Sequence, residues 1–102
     1  MKLGDKQRKF TRMVAHLIQY AYSIGFEMTF GDAYRDERVT YGHRKSLHRS
    51  RLAVDLNLFI DGEYITDGRG HDKLHDYWDM IGGAERIADD MNHYSVEHGG
   101  MR

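Results

Sequence analysis

An apolar run covers residues 52–60 and carries an aspartate, Asp55, among leucine, valine and isoleucine. Such a run predicts a buried β-strand, in which an unpaired carboxylate would cost far too much free energy to persist. The charge must therefore be compensated, either by an arginine such as Arg51 or Arg35 or by a divalent metal ion. His48 lies seven positions before Asp55, close enough along the chain to share a metal with it.

A second histidine that could complete a metal site lies near the C-terminus, in the stretch Asp90-Met91-Asn92-His93-Tyr94-Ser95. Because the chain has no cysteine, a transition-metal site must use imidazole and carboxylate ligands. His48, Asp55 and His93 would converge if the strands that follow or carry them are neighbours. Three protein ligands leave a fourth position of zinc open, which is typical of a catalytic site, and Asp90 is the acid placed to move protons there. Taken singly, each of these residues also has an ordinary structural interpretation.

Composition excludes several classes of protein. The 102 residues predict one domain, residues 1–102, in which 15 basic and 16 acidic residues nearly balance. A dedicated nucleic-acid-binding protein usually shows a basic excess on one face. No apolar run approaches the ~20 residues of a membrane span, and no signal-peptide core follows the N-terminal lysines. We expect a monomer made in the bacterial cytoplasm, with no nucleic-acid partner and no membrane insertion.

The hydrophobic patterns predict an α+β fold, with a small antiparallel sheet packed with two main helices. Apolar residues at three- and four-residue spacing indicate helices at 5–24 and 71–81, each followed by glycine. Asp61-Gly62 is a hairpin turn signal between two strands. The predicted strands are 26–30, 52–60, 63–65 and 92–96, and a loop is predicted at 40–51 after one helical turn at 36–39.

These motifs resemble the zinc peptidases that cleave bacterial cell-wall peptides. The resemblance rests on Ser46-Leu47-His48, on the run from Arg51 to Phe59, and on Asn92-His93-Tyr94-Ser95, and it covers nearly the whole chain. The family includes D-alanyl-D-alanine carboxypeptidases and dipeptidases and phage L-alanyl-D-glutamate endopeptidases. The chain is most similar to small phage and prophage endolysins, which implies the hedgehog/DD-peptidase fold. The family often has glycine where this chain has Arg51.

The resemblance implies roles for residues at matching positions. His48, Asp55 and His93 would bind one zinc ion per chain. Asp90, three residues before the last ligand, would be the general base, taking a proton from the attacking water and returning it to the leaving amine. The neighbouring Asp89 competes for that role, and the three-residue offset favours Asp90.

Two further residues receive roles by resemblance. Arg35 matches a catalytic arginine that stabilises the developing oxyanion or holds a substrate carboxylate, tasks that suit its fixed charge and its fork of donors. Alternatively, Arg35 is structural and pairs with Asp32 or Asp36. Ser46 matches a substrate-binding serine that lies beside the metal.

The activity that the resemblance implies is hydrolysis of the peptidoglycan stem peptide at the L-alanyl-D-glutamate bond. The setting would be host cell lysis by a phage or prophage endolysin that reaches the wall through a holin or a similar route. Two alternatives stay open. One is a D-alanyl-D-alanine carboxypeptidase or dipeptidase, which must recognise a free C-terminal carboxylate. The other is a non-catalytic, metal-containing module that binds wall peptides.

The remaining histidines have structural interpretations. His71 and His75, at i, i+4, could bind metal on a helix face, but no third partner matches them, and we predict a solvated helix face. Tyr77 and Trp78 are predicted to lie in the core. The sequence leaves open whether the basic stretch 43–51 contacts substrate. Surface positions are predicted for His16, His43 and His98.

Overall fold

The computed structural model describes residues 1–33 and 47–102, which form an α+β fold. Two helices pack with an antiparallel sheet of four strands, so the predicted fold class is confirmed. The finer likeness to the hedgehog/DD-peptidase fold stays a prediction. Within the described ranges, no helix is long and apolar enough to cross a lipid bilayer. The elements, in chain order, are α1 (Leu3–Ser23), β1 (Phe26–Phe30), a short 3-10 helix (Leu47–Ser50), β2 (Ala53–Ile60), β3 (Glu63–Tyr64), α2 (His71–Met80) and β4 (His93–Ser95).

Helix α1 forms because its apolar residues recur every three or four positions and therefore share one face. That face is buried and packs against α2, where the Phe10 ring meets the edge of Trp78 and Tyr20 stacks on Tyr77. The helix stops before Gly25, whose φ of 87° is a left-handed conformation that glycine adopts without steric cost. The buried residues of α1 are Phe10, Met13, Val14, Leu17 and Ala21.

Strand β2 is the centre of the sheet, because the other three strands all pair with it in antiparallel fashion. On one edge of β2, next to β1, the Asp55 N–H donates to the carbonyl of Asp32. On the other edge, the Leu56 N–H donates to the carbonyl of Asn92, so β4 lies on the side opposite β1. The register places His93 of β4 directly across from Asp55.

The two faces of β2 differ in chemistry because successive side chains point to opposite sides of the sheet. Val54, Leu56 and Leu58 lie on the inner face and are buried in the core with the helices. Asp55 and Asn57 lie on the outer face. The polar residues that interrupt the apolar run therefore share one side of the sheet, away from the helices.

The chain leaving β1 passes very close to Asp55. The Gly31 N–H donates to the carbonyl of Asp55 at 2.8 Å. A Cβ on Gly31 would lie 3.1 Å from the Asp55 Cβ and 3.2 Å from its carbonyl oxygen, which is tighter than ordinary contact. Glycine at this position lets the backbone hold Asp55 from the β1 side.

The structure of helix α2 contradicts one prediction. His71 and His75 do not lie on a solvated face, because their exposed fractions are 2% and 0%. The His71 Nδ1 and the Tyr94 hydroxyl form a 2.7 Å hydrogen bond, and the His75 Nε2 donates to the carbonyl of Met91, also at 2.7 Å. Tyr94 and Met91 lie far from α2 along the chain, so the spacing of residues within the helix could not predict these contacts. Trp78 is fully buried, as predicted.

The structure of the segment before β2 contradicts a second prediction. Residues 47–50, predicted as part of a loop, form the short 3-10 helix. Arg51 follows with a φ of 57°, in the left-handed region that favours glycine. The helical turn predicted at 36–39 and the surface position predicted for His43 lie outside the described residues.

We expect the metal-free protein to lose stability as the pH falls from about 6.5 to about 4. Burial lowers the pKa of His71 from 6.5 to about 4 and also lowers the pKa of His75. The His71 ring therefore stays mostly neutral in the folded state until the pH approaches 4, while the unfolded chain takes up protons and is stabilised, and the lowered pKa of His75 acts in the same direction. By linkage, His71 alone would account for a loss of about 3 kcal/mol by the lower end of the window.

Urea unfolding at a series of pH values, with a chelator present, measures this effect. His71→Gln is the comparison, because its amide does not titrate and can still bond the Tyr94 hydroxyl. The variant should show a shallower dependence of the unfolding free energy on pH. If the unfolding free energies of wild type and His71→Gln depend equally on pH, His71 is not the cause of the loss of stability.

Candidate metal centre

Three potential metal ligands meet on the outer face of β2. His48 comes from the 3-10 helix, Asp55 from β2 and His93 from β4. One ligand atom from each of the three lies within 4.8 Å of the other two. The Asp55 Oδ1 is 3.2 Å from the His48 Nε2 and 3.5 Å from the His93 Nδ1. Both histidines are buried, so the carboxylate faces two imidazoles in a largely dry setting.

Local structure brings each side chain to this point. His93 and Asp55 are directly opposed in an antiparallel pair, so their side chains lie on the same face of the sheet. The buried Leu47 anchors the 3-10 helix, and its carbonyl accepts a 3.0 Å hydrogen bond from the Leu52 N–H at the start of β2. The closed turn returns His48 toward the strand that carries Asp55.

The electrostatics of the cluster keep the carboxylate ionised. Burial raises the pKa of Asp55, but the contacts and charge interactions with His48 and His93 outweigh it and lower the pKa to about 2. Neither imidazole is well aligned, and the Asp55 Oδ1 has no hydrogen-bond donor of good geometry within residues 1–33 and 47–102. A buried anionic oxygen that faces two imidazole nitrogens without good hydrogen bonds is suited to a cation placed between the three groups.

The donor set is also consistent with a metal ion. Two imidazoles and one carboxylate are ligands that divalent transition metals accept. The His48–Asp55–His93 group can therefore hold a metal ion, as the sequence predicted for these residues.

Asp90 lies beside the cluster. Its Oδ2 is 3.9 Å from the His93 Nδ1, and about half of its side chain is exposed. The backbone fixes this position, because the Asp90 N–H donates to the carbonyl of Ile87 and the His93 N–H donates to the carbonyl of Asp90. A carboxylate that is both solvated and close to the cluster can exchange protons with a molecule bound there, although its role as general base stays a prediction.

A groove of about 480 Å³ opens next to the cluster. Two chain segments, 64–68 and 88–92, form its walls, and Asn57 lies between them. Asn57 is two residues after Asp55 on the same face of β2, and Asp90 and Asn92 belong to the wall that leads into His93. The groove is therefore lined by residues that neighbour the possible metal ligands in the chain, and Asp90 is the lining residue whose carboxylate comes within 3.9 Å of the His93 Nδ1.

Sequence reasoning did not identify the groove amides or the buried histidines of α2. Asn92 Nδ2 lies 3.5 Å from the Asn57 Oδ1, and Asn57 Nδ2 donates to the Thr29 hydroxyl. The sequence contains one signal for Asn57. It lies two residues after Asp55 in the apolar run, so in a β-strand the two side chains point to the same face. Arg35 and Ser46, predicted to act in catalysis and substrate binding, lie outside the described residues, and their roles stay predictions.

Comparison with known proteins does not assign a family. No protein-family model matches the chain, and no curated protein matches it in sequence. A function for this chain must therefore be inferred from its residues and their geometry.

We expect Asp55→Asn to abolish tight metal binding while the protein still folds. The amide keeps the size of the carboxylate but removes the negative charge that two neutral imidazoles cannot replace. At metal concentrations about 100-fold above Kd, wild-type protein should gain about 3 kcal/mol of stability that the variant lacks. Calorimetric titration and chemical unfolding, each with and without added Zn²⁺, measure the two effects.

Asp61→Asn is the matched control, because Asp61 is exposed in the β2–β3 turn and asparagine tolerates its φ of 52°. It should bind metal as wild type does. Equal metal affinity in Asp55→Asn and wild type would show that the cluster is not the binding site.

Proposed function

We propose that the protein is a zinc peptidase that cleaves the stem peptide of peptidoglycan at the L-alanyl-D-glutamate bond. The observation that carries the proposal is the His48–Asp55–His93 group with the carboxylate of Asp90, a residue that lines an open groove, beside it. This combination of three ligands and a nearby acid is also what the sequence resemblance to cell-wall zinc peptidases implies.

Two of the three separations between possible ligand atoms are compatible with zinc, and the third is within 4.8 Å. Nitrogen and oxygen ligands about 2.0–2.1 Å from a tetrahedral ion lie about 3.3–3.4 Å from each other. The separations of the Asp55 Oδ1 from the His48 Nε2 and the His93 Nδ1, 3.2 Å and 3.5 Å, lie on either side of that value. Three protein ligands would also leave one coordination position for water or substrate, as in other catalytic zinc sites.

When bound, zinc would polarise the scissile carbonyl and increase the acidity of a water molecule. The residues of this chain would transfer the protons. Asp90 would accept one from the attacking water and return it to the leaving amine, so that the amide C–N bond breaks and a carboxylic acid and an amine form. Half-exposed and 3.9 Å from His93, the Asp90 carboxylate has the access that both transfers need.

The groove would bind the peptide on one side of the scissile bond. Asn57 and Asn92 offer amide donors and acceptors to peptide groups, and the volume of about 480 Å³ is enough for part of a short peptide. Arg35 would stabilise the oxyanion or hold a substrate carboxylate, and Ser46 would hydrogen-bond substrate, by resemblance alone.

The biological setting that we propose is lysis of a bacterial host by a phage or prophage endolysin. The enzyme would be made in the host cytoplasm and would reach the wall through a holin or a similar route. Antibacterial activity toward cells with a permeabilised envelope would follow from the same chemistry.

Digestion of purified peptidoglycan tests the proposal. The zinc-loaded protein, the chelated protein and the Asp55→Asn variant are incubated with it, and the released fragments are identified by mass spectrometry. We expect chelator-sensitive release of fragments with a new N-terminal D-glutamate, and none from the variant.

Other outcomes separate the alternatives. Loss of a terminal D-alanine alone, and only from substrates with a free C-terminus, would indicate a carboxypeptidase. Binding of folded, zinc-loaded protein to peptidoglycan without any cleavage would indicate the non-catalytic module. Cleavage that survives both the chelator and Asp55→Asn would overturn the metal mechanism.

A further inference from the structure

The segment that carries Asp90 and leads into His93 is held by three consecutive carbonyl groups. The carbonyl of Asp90 accepts the His93 N–H at 3.1 Å, and that of Asn92 accepts the Leu56 N–H at 2.9 Å. Between them, the carbonyl of Met91 accepts the His75 Nε2 at 2.7 Å. The middle bond differs from the other two because its donor is a side chain, so a substitution can remove it and leave the backbone intact.

His75 makes this contact from inside the core. It is fully buried on α2, and its ring stacks on Tyr94 with centroids 4.3 Å apart and planes inclined by 14°. His71, one turn earlier, bonds the Tyr94 hydroxyl, and Trp78 packs edge-on against the same ring. Because the Met91 carbonyl can only accept, the His75 Nε2 must carry the hydrogen, and the bond sets the direction in which the imidazole points.

We propose that His75 is a positioning residue, which fixes the loop 90–92 through the Met91 carbonyl and thereby sets the Asp90 carboxylate against the His48–Asp55–His93 group. His93 has a second support, its pairing with Asp55 in the sheet, whereas within residues 1–33 and 47–102 the Asp90 side chain is placed by its own loop and by a 3.9 Å approach to the His93 Nδ1. Loss of the His75 bond therefore moves the acid more than the ligands. The catalytic part of this inference rests on the proposed function, but the positioning part does not.

Two substitutions separate the hydrogen bond from the packing. His75→Phe keeps an aromatic ring on Tyr94 and loses the donor, whereas His75→Gln loses the ring and keeps an N–H at similar reach. We expect kcat for stem-peptide cleavage to fall about 10- to 100-fold in His75→Phe, with little change in KM or in Zn²⁺ affinity. His75→Gln should restore most of the lost turnover.

Leu74→Val is the matched control, because Leu74 is fully buried on the same helix and contributes neither to the groove nor to the cluster. It loosens the packing of α2 without touching the Met91 carbonyl. All variants are compared at a temperature where unfolding curves show each of them folded, and Leu74→Val should keep wild-type kcat.

Amide hydrogen exchange, followed by NMR in metal-free and Zn²⁺-loaded protein, gives a readout that does not need activity. We expect His75→Phe to speed exchange of the His93 and Leu56 N–H groups, which donate to the flanking carbonyls, and to leave the amides of α1 unchanged. His75→Gln and Leu74→Val should show wild-type exchange at both positions.

The outcomes distinguish this inference from the proposed function. If wild-type protein does not cleave peptidoglycan but His75→Phe alone speeds exchange at His93, the proposed function fails and the positioning of the loop stands. Unchanged exchange and unchanged kcat in His75→Phe would overturn the positioning. So would losses of equal size in His75→Phe, His75→Gln and Leu74→Val, because those would indicate packing alone.

Discussion

Under the proposed function, Asp90→Asn should lower kcat for stem-peptide cleavage by about 10²- to 10⁴-fold, the usual contribution of a general acid–base group. The amide keeps the shape of the side chain but cannot accept the proton of the attacking water at neutral pH. The backbone bonds of Asp90 to Ile87 and His93 are unaffected, so the loop keeps its course. Zn²⁺ affinity and KM should change little, because Asp90 is not one of the three grouped ligands. Steady-state kinetics on a defined muropeptide, with the metal content measured in parallel, tests this.

Asp89→Asn is the companion variant, because the sequence alone leaves the two neighbouring acids as competitors. We expect a far smaller loss of kcat for Asp89→Asn. A reversed order of the two losses would assign the general base to Asp89 instead. Wild-type turnover in both variants would remove general-base catalysis by either residue and favour a different mechanism.

Gly83→Ala should destabilise the fold by about 3 kcal/mol or more. A Cβ at position 83 would overlap the Nε1 of Trp78, and neither side can yield easily. Trp78 is fully buried between the rings of Phe10 and Tyr94, and its Nε1 donates to the carbonyl of Ser95 at 2.8 Å. Moving the indole would break that bond and disturb β4. Chemical unfolding of the metal-free protein measures the loss.

Gly82→Ala provides the comparison at the preceding residue. Its φ of 100° strains any other residue, but a Cβ there would meet nothing within 4 Å. The expected loss is about 1–2 kcal/mol, which is the cost of the left-handed conformation alone. If both variants lose the same stability, the close approach of Gly83 to Trp78 has no energetic importance.

Most of the fold could be predicted from local patterns. The periodicity of α1, the apolar run of β2 and the Asp61-Gly62 turn each predicted the element that forms, with ends that differ by a few residues at most. The pairing of β4 with β2 could not be predicted with the same certainty. A three-residue strand has too short a pattern to specify its partner, and its place in the sheet depends on contacts with distant residues.

Some residues of the candidate site could be predicted from the sequence and others could not. His48, Asp55 and His93 were identifiable because a carboxylate inside an apolar run needs a compensating charge, and the structure groups the three. The buried positions of His71 and His75 were not identifiable. Their place in the core depends on the Tyr94 hydroxyl and the Met91 carbonyl, which come from a different part of the chain. Polar residues at helical spacing look solvated until such partners are known.

The central position of β2 has a consequence for the order of events in folding. His48 and Asp55 are close along the chain, but His93 joins them only when β4 has paired with β2, which lies far from it in sequence. Such long-range pairing is slow to form, because the intervening chain must first be closed into a loop. Metal capture by all three ligands can therefore occur only after that closure. A bound ion would then act mainly by slowing unfolding, and the time at which refolding protein acquires metal would mark the docking of its last strand.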